Sequence, residues 1–94
     1  MQQVDFEDLN RRLATRASQK WFTATARADG PMVEFEAITW RAGRQLTYVR
    51  PCRLSEVLRM GTAAMANEFV EIAASTLPPG TPAGDALLPG APPR

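Results

Sequence analysis

The chain contains no histidine, a single cysteine and a single lysine. Without histidine it lacks the commonest general base and metal ligand, and no nucleophile–base–orienter set can be assembled. The lone Cys52 excludes a disulfide framework and a cysteine-based metal site; it reads as a structural residue in preference to a thiol activated by Arg50 and Arg53. No apolar run is long enough to span a bilayer. The first residues carry acids and no apolar run, so no secretory leader is expected. Net charge is +1, too little for a global field that would draw the chain to nucleic acid or membrane. These absences lead to an expected cytoplasmic, non-enzymatic protein with no metal, cofactor or membrane partner.

What is present fits one small domain. The chain has 94 residues, of which 45% are hydrophobic, enough for one modest core. The positive charge is carried almost wholly by arginine, a trait of high-GC bacterial or phage genomes. From Leu77 onward proline and glycine dominate, a composition that cannot build a core. The expected division is a domain over 1–76 and a flexible tail over 77–94. Leu87 and Leu88 are either a short docking segment or simply part of that tail.

The stretch Trp21–Arg50 reads as a three-stranded antiparallel meander. Asp29-Gly30 between alternating runs is a two-residue hairpin signal, and that turn pairs Arg27 with Met32, Ala24 with Phe35 and Trp21 with Ile38. Arg41-Ala42-Gly43 suits a three-residue loop with Gly43 left-handed, which pairs Trp40 with Arg44, Ile38 with Leu46 and Glu36 with Tyr48. Alternation then puts Phe22, Ala24, Ala26, Val33, Phe35, Ala37, Thr47 and Val49 on one smooth face suited to cover by helices. The other face holds Trp21, Ile38, Trp40, Leu46, Tyr48 and Arg50 among polar residues. A slip of one residue would exchange the faces of a strand.

Helices are expected on either side of the meander. Over 5–18, Phe6, Leu9, Leu13 and Ala17 recur at helical spacing. Asp5 is the expected cap, Val4 and Leu9 form a staple, and Glu7–Arg11 and Asp8–Arg12 are favourable pairs. Arg11, Arg12 and Arg16 read either as a solvated face or as a phosphate-contacting stripe. A second helix is expected over 54–75 with Ser55 as a cap. Its Gly61-Thr62-Ala63-Ala64 run suits close backbone approach, either to the sheet or to a partner. The fold class is therefore α+β: a three-stranded meander with two helices on one face, in the order α-β-β-β-α.

That element order, with Gly30-Pro31 ahead of the second strand, resembles the double-stranded-RNA-binding domain. The resemblance implies RNA contacts through the first helix, that loop and the start of the second helix. The segment Arg53–Arg59 departs from the pattern, with Glu56 where the family carries a lysine cluster, and the loop lacks the family's histidine. The stretch Phe22–Ala37 is similar to the hairpin of small phage head–tail joining proteins, although those carry two strands.

The candidate site is the outer sheet face: Trp21, Ile38, Trp40, Arg41, Arg44, Leu46, Tyr48 and Arg50. Clustered rings and guanidinium groups mark interaction surfaces. The tail or the second helix, a second copy of the chain, or a different protein could cover this face, and self-association or a partner is favoured. The expected function is a small protein-interaction module, such as an adaptor, assembly component or inhibitor of a larger machine, and a homodimer is expected. The alternative is nucleic-acid binding through Arg41, Arg44, Arg53 and the first-helix arginines.

Overall fold

The computed structural model describes residues 3–82. Its elements are α1 (Phe6–Ala17), β1 (Thr23–Asp29), β2 (Met32–Arg41), β3 (Arg44–Arg53), α2 (Leu54–Met60), α3 (Thr62–Thr76) and a two-residue β4 (Thr81–Pro82). The class is α+β, with an antiparallel sheet in the order β1-β2-β3 and helices flanking it in sequence.

Helix α1 forms for the reasons its sequence gives. The Asp5 carboxylate accepts the Asp8 amide at 2.9 Å, satisfying one of the free donors of the first turn. Leu9, Leu13 and Ala17, one turn apart, are buried. Asp8 takes Arg12 at 2.9 Å as expected, but Arg11 also turns to Asp8 and not to Glu7.

The first hairpin turns one residue later than Asp29-Gly30. Asp29 faces Met32, so the turn residues are Gly30 and Pro31, with Gly30 at φ 59. The reason is the proline. Had Asp29-Gly30 been the turn, Pro31 would have closed the ladder opposite Ala28, where an amide is required and proline has none. Placed second in the turn, proline needs no amide, and glycine at the first position supplies the positive φ. The pairing moves by an even step, to Thr23↔Ile38 and Ala26↔Phe35. Phe22, Ala24, Ala26, Val33, Phe35 and Ala37 therefore stay on the covered face and are buried.

The second hairpin moves by an odd step and overturns the expected face of β3. Arg41 faces Arg44, leaving a two-residue turn of Ala42 (φ 53) and Gly43 (φ 75). Ile38 faces Thr47, not Leu46, and Ala37 faces Tyr48. Leu46 and Tyr48 thus pack against the core, and Thr47 and Val49 are the residues that point outward. A left-handed alanine costs about 1–2 kcal/mol. Burying Leu46 and Tyr48 even by half stabilises by about as much for each residue. The Tyr48 ring also stacks on Phe69 at 5.8 Å and 14°. Burial outweighs the strained turn residue.

The second helix is broken. Gly61 at φ 89 and ψ 157 adopts a conformation essentially reserved for glycine, and the chain resumes at Thr62 in a new direction. Its role is to break the helix, not to admit a neighbouring backbone. Ser55 does not cap: Arg53 is the N-cap and makes no side-chain cap bond. The Leu54 amide instead donates to the Pro31 carbonyl at 2.9 Å, tying α2 to the first hairpin. Helix α3 buries Met65, Ala66, Phe69, Val70 and Ala73, with Phe69 against Phe35 at 5.2 Å. Thr62 hydrogen-bonds Asp8 and fastens α3 to α1.

Part of the expected tail is packed. Leu77 is buried. A Cβ on Gly80 would strike the Trp40 carbonyl, and Thr81 pairs with Trp40 on the β1 side of β2. The remainder of the expected tail, including Leu87 and Leu88, lies outside the described residues. Among the described residues no helix is long and apolar enough to cross a membrane.

Candidate interaction surface

The sheet has a covered face, an outer face and two edges, and the residues expected to form one site are spread among them. Ile38 and Trp40 lie on the outer face, half-buried. Trp21 precedes β1. Its ring packs against the core, edge-on to Phe22 at 5.8 Å, and its carbonyl accepts the hydroxyl of the buried Thr39 at 2.7 Å. Leu46, Tyr48 and Arg50 lie on the helix side of β3 as a result of the one-residue shift. The ring cluster read from sequence is therefore divided between two faces of the sheet. The indole N–H groups of Trp21 and Trp40 are buried with no acceptor among the described residues.

Arg41 and Arg44 stand directly opposite each other at the hairpin tip, both exposed. None of Arg41, Arg44, Arg50 and Arg53 forms an ion pair among the described residues. Glu34, the carboxylate that a face-matched register would have offered to Arg50, pairs with Arg27 at 2.8 Å instead. That carboxylate raises the Arg27 pKa. The neighbouring Cys52 side chain, and then Tyr48, raise the Arg50 pKa, consistent with all three side chains sharing the helix side.

The feature that sequence reasoning missed is the contrast between the edges. In an antiparallel ladder, backbone groups point alternately to the partner strand and away from it. With Arg41↔Arg44 closing the turn and Leu54 donating to Pro31, the even-numbered residues of β3 face β2. The backbone groups of Gln45, Thr47, Val49 and Pro51 then face outward. These residues are exposed, and among the described residues no other group bonds to their carbonyls or to the amides of Gln45, Thr47 and Val49. Val49, at 44% exposure, is the exposed large hydrophobic residue of the described chain. On the opposite edge, the outward amide of Ala26 donates to the Asn10 side chain at 2.7 Å, and the Ala26 carbonyl accepts from the Asn10 amide at 2.9 Å. Asn10 thus stands where a neighbouring strand would.

A separate basic cleft lies between α1 and α3, lined by Arg11, Arg12, Thr15, Arg16, Ala63 and Ala66. Arg11 and Arg12 are both engaged by Asp8. Among the described residues no cluster of metal-ligating side chains occurs. Comparison with protein-family models, curated proteins and solved structures yields no match.

Proposed function

We propose that the chain is a small, non-enzymatic protein-interaction module that engages its partner through the open side of its sheet. One observation carries this reading: the bare ten-residue edge of β3 runs beside an outer face holding Ile38, Trp40 and the exposed Val49. Aromatic and apolar groups beside a free strand edge are the chemistry that protein partners use. An adaptor, assembly component or inhibitor fits it. Stacking of two copies face to face, the expected homodimer, loses Leu46 and Tyr48 from its contact surface, so a different protein fits the surface better.

The test is site-specific photocrosslinking in the native host. A photoreactive residue at Ile38 or Thr47 is expected to form a discrete protein adduct, and one at Ser18, on the helix side, is not. The absence of a discrete adduct at both sheet positions contradicts the reading.

Nucleic-acid binding is the second reading. It is supported by the cleft that gathers Arg11, Arg12 and Arg16, while Arg41 and Arg44 sit apart at the hairpin tip. Binding to duplex RNA would have to weaken steeply with salt; no binding at low salt removes it.

A further inference from the structure

We propose that the free edge of β3 receives an extended acidic segment of a partner protein, which joins the sheet as an additional antiparallel strand. This rests on the interaction reading above and supplies its geometry.

The backbone comes first. Gln45, Thr47 and Val49 present outward amides and carbonyls with no bond among the described residues, and such an edge is a template for strand addition. Pro51 also faces outward, so its missing amide leaves the β2 ladder intact. Antiparallel addition is the more stable arrangement per residue.

Charge selects the occupant. Like charges directly opposite each other on a sheet repel, and Arg41 and Arg44 are such a pair. No acid occurs between Ala37 and Ser55. A carboxylate on an arriving strand, opposite Arg44, relieves that repulsion. A second copy of the chain does the reverse: antiparallel self-pairing centred on Thr47 sets each Arg44 against an Arg50. Moving the centre still lays a strand whose charged residues are all arginines against another such strand.

The side chains between the arginines add a pattern. Leu46 and Tyr48 are half-buried on the same side as Arg44. Alternate residues of the arriving strand should be apolar opposite Tyr48 and Leu46 and acidic opposite Arg44. Read from its N-terminus, the segment runs apolar, apolar, acidic at every second position. At the other end Arg50 lines a cavity with Glu56 and Glu68, so the requirement for an acid is set at the hairpin tip.

The probe is a capped peptide alternating threonine and valine, with valines opposite Tyr48 and Leu46, and ending in a glutamate opposite Arg44. Its comparators are the lysine counterpart and a glutamate peptide N-methylated at the residues expected to donate to β3. Binding of the glutamate peptide is expected to slow amide exchange at Gln45, Thr47 and Val49 by about tenfold or more. The lysine and N-methyl peptides should bind about tenfold more weakly or worse, and Arg44→Glu should reverse the preference between glutamate and lysine. Equal binding of the three peptides, or binding that leaves those amides unchanged, overturns strand addition, as does protection of those amides in the free chain by dimerisation. If the Ile38 crosslink still captures a protein, the interaction reading survives and only the strand is lost. If it does not, both fall.

Discussion

The edge of β1 is bridged at Ala26 by one side chain, and the outward groups of β3 are bonded by nothing among the described residues. At β1, Asn10 offers an amide to the outward groups of Ala26, α1 lies alongside, and β4 continues the pairing at the far end of β2. At β3 the outward groups of Gln45, Thr47 and Val49 meet solvent. Free strand edges invite association, and native chains usually blunt them. This chain blunts one with α1 and the Asn10 bridge to Ala26, and the other carries only Pro51 and a series of arginines.

Four experiments, in order of decreasing effect, bear on the contrast and on the registers behind it. The largest difference should come from proline placed at outward positions of each edge. Ala26→Pro removes a buried, bonded amide and should destabilise by about 3 kcal/mol or more. Thr47→Pro removes an amide that bonds to nothing and should cost roughly 1 kcal/mol or less. Urea midpoints at constant slope measure both, and equal losses would mean the edges are alike.

Next is Asn10→Ala, which leaves the Ala26 donor and acceptor unpaired in a part-buried site. A loss of about 2–3 kcal/mol is expected in the same denaturation experiment. Should the loss stay near zero, water already serves that edge.

Ala42→Gly follows, because among the described residues Ala42 is the non-glycine residue at positive φ. Relief of the left-handed alanine should stabilise by about 1 kcal/mol in thermal unfolding. A destabilised variant would argue against the two-residue turn, and with it the outward set of β3.

The smallest effect is the pH dependence of the α1–α3 fastening. The Thr62 hydroxyl, and then Arg12, hold the Asp8 pKa below its usual value of 3.8. A carboxylate depressed in the folded state contributes stability that is present above its unfolded pKa and lost as pH falls through its folded one. Stability should therefore decline below about pH 4, and Asp8→Asn should flatten that part of the profile. An unchanged profile would contradict the Thr62 contact.

Much of the architecture was legible in the sequence. The amphipathic spacing of Leu9 and Leu13 placed α1, and alternation from Phe22 to Ala37 placed the covered face of β1 and β2 despite a misplaced turn, because the error there was even. The face of β3 was not legible. Choosing between a two- and a three-residue turn means weighing a left-handed Ala42 against the burial of Tyr48 on Phe69, and that contact is visible only once α3 is in place. The break at Gly61 was hidden because small residues around it read as packing. The cap on β1 was hidden for a different reason: nothing local in Asn10 announces that its side chain will meet Ala26.

Residue-resolved amide hydrogen exchange on the free chain reads whether the β3 edge is open. Protection should alternate along β3, with Leu46, Tyr48 and Arg50 protected by their bonds to β2, Gln45, Thr47 and Val49 exchanging fast, and Ala26 on the other edge protected. Uniform protection along β3, with Thr47 and Val49 as slow as Tyr48, would show that its edge is already paired and would contradict the account.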